Sequence, residues 1–111
     1  MHELALSRSI VAVGVRHARG SRVTAVTVRV GHMRQVVPDT LRFCFGIAAE
    51  GTVLEGATLE IVEVPVALRC RECGRGTVLE NFELRCPGCG GSDLDMLSGQ
   101  ELLVESLELD D

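Results

Sequence analysis

Cys70-Arg71-Glu72-Cys73, followed after twelve residues by Cys86-Pro87-Gly88-Cys89, decides how this chain is read. Each pair lets two thiolates converge on one cation from a tight turn. Gly74, Gly88 and Gly90 stand where such turns need backbone angles that other residues resist. Two facing pairs give an S4 donor set, the closed tetrahedral environment of structural Zn(II). With four thiolates bound there is no open position for water, so the site is expected to build structure and not to catalyse. Two disulfides would need an oxidising compartment. A thioredoxin-type redox motif would place a single CxxC after a strand of a larger α/β fold. The spacer between the pairs has room for two short strands, roughly residues 76–79 and 82–84.

Around this motif the composition is rich in glycine, and some 33 residues are too few to bury a core without a staple. Residues 66–98 are therefore expected to form an inserted zinc-ribbon lobe. The flanking segments, 1–65 and 99–111, would make one discontinuous α/β domain. Within it, Leu6, Ile10 and Val13, flanked by Leu4, Val11, Val15 and Ala18, mark the broad face of a helix over 3–18, against the resistance of the β-branched Ile10, Val11, Val13 and Val15. Residues 22–30 alternate, with Val26, Val28 and Val30 on one face and Thr27 and Arg29 on the other, and predict a strand. Pro38 and Asp39 open a second helix, with Leu41, Cys44, Phe45 and Ala48 at core spacing and Gly51 closing it. Cys44 reads as a small buried hydrophobe. Strands over 58–64 and 101–109 complete an α+β fold of two helices on a three-stranded sheet, with the four-cysteine zinc ribbon inserted before the last strand.

Composition excludes several functions. The chain has 111 residues, 46% hydrophobic and 24% charged, which is globular and not disordered. No apolar run approaches the roughly 20 residues of a membrane span. Met1-His2-Glu3 lacks the basic start and apolar stretch of a signal peptide, so a cytoplasmic protein with no membrane partner is expected. Every basic residue is arginine, which removes Schiff-base chemistry and a phosphate-binding lysine. No nucleophile–base pair or phosphate loop has motif support, so no enzyme is expected. Charge is uneven: residues 1–42 hold seven arginines against Glu3 and Asp39, and residues 43–111 hold four against 14 acids. These are solvated faces, or an acidic surface that meets a basic partner. The ribbon segment carries four arginines against five acids with Phe82 as its one aromatic, a poor nucleic-acid surface.

The amino terminus carries a second metal signal. A bulky second residue disfavours removal of the initiator methionine, so the chain is expected to start with a free amine on Met1. That amine, the His2 imidazole and the amide nitrogens of His2 and Glu3 lie within reach of one ion. Nitrogen donors in a planar arrangement suit Ni(II) or Cu(II) more than Zn(II). The competing reading is an ordinary exposed histidine. His17, near the end of helix 1, and His32, in the loop after strand 1, have no spacing that marks them as ligands.

The initial Met-His-Glu, Pro38-Asp39-Thr40-Leu41-Arg42-Phe43-Cys44-Phe45, Glu55-Gly56-Ala57-Thr58-Leu59 and the double CxxC before an acidic last strand occur in this order along the chain. Together they resemble the HypA/HybF family, nickel metallochaperones of nickel–iron hydrogenase maturation, over essentially the whole length. The resemblance implies a nickel-binding α/β domain built from both ends of the chain and an inserted zinc ribbon. It implies that His2 is the essential nickel ligand, that the Met1 amine and neighbouring amide nitrogens complete the site, and that Glu3 belongs to the same motif. It further implies Cys70, Cys73, Cys86 and Cys89 as ligands of structural Zn(II), and Ni(II) as transient cargo. The implied partners are the GTPase HypB and the precursor of the hydrogenase large subunit; some relatives also serve urease. Histidines that accompany the zinc pairs in some relatives are absent from residues 66–99 here. A fourth nickel ligand must then be backbone nitrogen, water, Glu3 or a partner's group. The rival reading is a zinc-ribbon adaptor or nucleic-acid-binding module without nickel delivery.

Overall fold

A computed structural model describes residues 3–79 and 84–110. The chain opens with α1 (Glu3–Ala18), continues through β1 (Arg22–Gly31) and a 3-10 turn at His32–Arg34, and enters α2 (Pro38–Ala49). Strand β2 (Thr58–Val64) follows, and β6 (Leu102–Asp110) closes a sheet of order β2-β1-β6. β1 and β2 are parallel and β1 and β6 antiparallel, because α2 supplies the long crossover that parallel neighbours need.

Helix α1 forms despite its β-branched run, since tertiary burial of one face outweighs intrinsic propensity. The expected face is buried at Leu6, Ile10, Val11 and Ala18, but Leu4 and Val15 are exposed. The buried stripe runs through Leu6, Ile10, Gly14 and Ala18 at four-residue intervals, and Val13 lies on its flank, half-buried. Gly14 is on this face because Leu54, fully buried from the loop after α2, packs where a side chain would stand. On α2 the same spacing buries Leu41, Phe45 and Ala49, which leaves Cys44 half-buried at the edge and not fully enclosed as expected. Val23, Val26, Val28 and Val30 of β1 complete the core.

The two helices run parallel. The Ser7 hydroxyl donates to the Leu41 carbonyl at 3.3 Å, and the Val37 N–H, just before α2, donates to the Glu3 carboxylate at 3.3 Å. Both helices therefore begin at the end of the sheet where β1 and β2 stop.

That end also roots a second sheet, of order β4-β3-β5, made from β3 (Ala67–Cys70), β4 (Gly76–Val78) and β5 (Leu94–Ser98), all antiparallel neighbours. The strand expected over 76–79 is present as β4. Of the one expected over 82–84, residues 82 and 83 lie outside the described residues and Leu84 is in no strand. β3 and β5 were not foreseen: four and five residues are too short to show a pattern.

The root is tightly fastened. Gly31 and Met33 N–H groups donate to the Glu101 and Gly99 carbonyls, each at 2.8 Å, and the Ser98 hydroxyl donates to the Pro65 carbonyl at 2.8 Å. Among the described residues no helix is long and apolar enough to cross a membrane.

Candidate metal centres

The first centre is built from two turns of the same shape. In the first, the Gly74 N–H returns to the Cys70 carbonyl at 2.8 Å and the Cys70 N–H donates to the Arg75 carbonyl at 2.9 Å. In the second, Gly90 N–H and Cys86 carbonyl repeat the contact at 2.8 Å, and Cys86 N–H donates to the Gly91 carbonyl at 2.9 Å. Gly74 and Gly90 take φ of 77° and 75°, the left-handed region where glycine is at ease. The two turns fold as the spacing predicts, but Gly88, expected to share the unusual angle, has no positive φ.

All four ligand sulfurs lie within 4.8 Å of one another. Across the two turns, Cys70 Sγ is 3.6 Å from Cys89 Sγ, and Cys73 Sγ is 3.5 Å from Cys86 Sγ. A disulfide would be near 2.05 Å, whereas a ZnS4 tetrahedron with bonds of about 2.3 Å has edges of about 3.8 Å. The donor set fits zinc. Cys70 and Cys86 are buried and Cys73 and Cys89 exposed, so the site has an inner and an outer side.

Without a metal Cys73, Cys86 and Cys89 are pulled in different directions. Backbone N–H groups of Cys89 and Gly88 pull Cys86 down to about 7. Against the Gly91 N–H, which lowers it, the Cys70 thiol, burial and the other two cysteines push Cys89 up to about 12. Cys73 is also raised; the Arg75 N–H opposes the rise, and Cys86, burial and Cys70 prevail. A divalent cation removes this conflict by holding all four as thiolates.

Sequence reasoning missed what braces the first turn. The Arg71 guanidinium grips the Asp95 carboxylate on β5, with Nε 2.8 Å away, and lies 3.7 Å from Asp93. The Arg71 N–H also donates to the Asp93 carbonyl at 2.9 Å. The only signal in the sequence was the Asp93-Leu94-Asp95 pattern, which gives no partner.

The second predicted centre is described only at Glu3, since Met1 and His2 lie outside the described residues. Glu3 opens α1 and its carboxylate accepts the Val37 N–H. His17 is exposed near the far end of α1. His32 stands at the near end, its Nε2 3.9 Å from a Glu63 carboxylate oxygen.

Comparison with known proteins bears on both centres. The family model described as "Hydrogenase/urease nickel incorporation, metallochaperone, hypA" matches residues 1–109. The chain belongs to the HypA family. Among its HypA relatives, a hydrogenase maturation factor HypA of Nostoc punctiforme is 42% identical over 111 residues, all of this chain and 97% of the relative. One of Geotalea uraniireducens is 42% identical over 110 residues, covering 99% and 100% of the two chains. The solution structure of the Ni metallochaperone HypA from Helicobacter pylori has the same fold, with a TM-score of 0.69 at 23% identity over 98% of this chain and 97% of that one. A HypA-family chain is a metallochaperone for hydrogenase and urease nickel incorporation, not an enzyme. Nickel is the family's cargo, and the four-cysteine cluster fits its structural zinc.

Proposed function

We propose that this chain receives Ni(II) at Met1-His2-Glu3 and hands it to the precursor of a hydrogenase large subunit, together with the GTPase HypB, in the cytoplasm. The observation that carries this reading is the family match, which starts at residue 1 and runs to residue 109. The His2 imidazole is the principal ligand, and the Met1 amine and the amide nitrogens of His2 and Glu3 complete a nitrogen-rich set suited to Ni(II). The Glu3 carboxylate, bonded to the Val37 N–H, ties the start of α1 to the loop before α2.

Zn(II) resides at Cys70, Cys73, Cys86 and Cys89. Residues 66–98 form the zinc unit; residues 1–65 and 99–111 form the cargo unit. A terminal site open on one side suits a carrier, because ligands of an acceptor can enter before those of the donor leave. The four thiolates enclose their ion and hold it.

The test is a nickel titration of zinc-loaded protein beginning at Met1, beside His2→Ala. Stoichiometric binding with a planar nitrogen-type spectrum is expected, lost in the variant while zinc stays bound. Equal nickel binding by the variant would remove the mechanism and leave a zinc-stapled adaptor.

A further inference from the structure

A chain that carries nickel beside a resident zinc must keep its cargo out of the four-cysteine site. Four thiolates serve the two ions best in different shapes: Zn(II) takes a tetrahedron, whereas Ni(II) favours a square plane. Each turn brings two sulfurs, those of Cys70 and Cys73 from the first and those of Cys86 and Cys89 from the second. In a tetrahedron the line joining one pair is perpendicular to the line joining the other. In a square plane the two lines are parallel. Flattening the site therefore requires one turn to rotate by about a quarter of a circle against the other.

The contacts that oppose this rotation reach from the first turn to the second, or to the chain leaving the second. The Arg71 N–H donates to the Asp93 carbonyl at 2.9 Å, and Cys70 pairs with Leu94 between β3 and β5. The Arg71 guanidinium extends this hold: Nε and a terminal nitrogen both donate to one Asp95 carboxylate oxygen, and an Asp93 carboxylate oxygen lies 3.7 Å away. The Arg75 side chain lies over Gly88 and the Glu72 carboxylate over Gly91, each where a β-carbon would otherwise stand. An isolated exposed ion pair contributes little, but charges joined in a network contribute more. Arg71 stands between two ligands of one turn, so its side chain cannot stay on Asp95 while that turn rotates.

We infer that Arg71 and Asp95 clamp the angle between the two turns and so make the four-cysteine site reject the cargo ion. Both are positioning residues, since neither belongs to the donor set. The inference rests on the zinc assignment proposed above and on nickel as the family's cargo, and it is independent of where on the chain that cargo binds. Loosening the clamp costs the tetrahedral ion and relieves the planar one, so it changes the ratio of the two affinities. A contact that only stabilised the lobe would weaken both ions alike.

The test challenges full-length, zinc-loaded protein with excess Ni(II). Metal content per chain is measured after desalting, and sulfur-to-nickel charge-transfer absorption reports nickel held by thiolates. The parent is expected to keep its zinc and show no such band. Arg71→Gln and Asp95→Asn should let nickel replace zinc, with the preference for zinc over nickel lowered about 10-fold or more. Asp95→Glu, which keeps the carboxylate, should retain most of that preference. Tetrahedral Co(II) bands in each variant check that the four thiolates still assemble. An unchanged preference in Arg71→Gln and Asp95→Asn, or zinc and nickel weakened by the same factor, overturns the inference. So does a parent that yields its zinc to nickel. A parent that takes up no zinc would refute the zinc assignment itself.

Discussion

A methyl group added at Gly31 would land on the Gly99 carbonyl and the Gln100 nitrogen, both backbone and both unable to swing aside. Gly31→Ala should cost about 1–3 kcal/mol or more through overpacking, read as a lower midpoint in urea with an unchanged slope. Leu54→Ala should cost about 2–5 kcal/mol by the same measurement, since Leu54 is fully buried against Gly14. Neither residue was legible in the sequence. Gly31 reads as the end of a strand and Leu54 as part of a loop, because their partners stand 68 and 40 residues away. The cysteines were legible because each ligand's nearest partner is three residues off, at a spacing with one chemical meaning. His2 carries the pH prediction at this scale. In the proposed site its imidazole and the terminal amine would bind nickel only without their protons, with ordinary pKa values of roughly 6.5 and 7.7–8.0. Protons compete more strongly as pH falls, so nickel affinity should drop between pH 8 and pH 6. A flat profile by chelator competition would exclude the amine–imidazole pair.

Among the elements, the helices and long strands were readable from their periodicity, with shifts of a residue at strand ends. On α1 the face was read at Leu6, Ile10, Val11 and Ala18 but Val13 stood in for Gly14, because hydrophobic periodicity cannot register a position where the neighbour supplies the side chain. β3 and β5 were invisible for another reason: on β3 only Leu68 and Cys70 are buried, and much of the order comes from the metal turns the strands flank and from pairs such as Arg71–Asp95. Zinc should therefore control this sheet. Adding a strong chelator should abolish its amide protection in hydrogen exchange, while the amides of α1 and α2 stay protected. Zinc uptake should also expel protons at neutral pH, since Cys73 is raised and Cys89 stands at about 12 in the metal-free site. Affinity for zinc then falls as pH falls, measurable by unbuffered titration with a pH electrode.

At the scale of the whole molecule, both ends of the chain's excursion and the start of α1 meet at one end of the larger sheet. The particle is long, 53 × 23 × 16 Å, with a Cα radius of gyration of 17.1 Å. A compact chain of this length would have about 13 Å. Small-angle scattering of zinc-loaded protein should give an elongated particle, and stripping zinc should enlarge it as the smaller sheet opens. The order of the parts along the chain was legible, since composition changes at residue 65. Their fastening was not: it is made by backbone groups of Gly31, Met33, Gly99 and Glu101, which carry no signal in side-chain type.

The last strand has a further consequence, for the order of assembly. β6 must pair with β1 across a stretch that includes the whole zinc segment. While that segment is open, about 33 residues of loose chain have to be closed at an entropic cost of about 3 kcal/mol. Once it is folded, Ala67 is paired with Ser98 and Pro65 is held by the Ser98 hydroxyl, so the end of β2 and the start of β6 are already side by side. Zinc capture thus shortens the search for the final strand. Chains made under zinc starvation should close that strand late, leaving one flank of β1 open to pair with other molecules. The ion that is never handed on thereby governs how fast a newly made carrier becomes fit to carry.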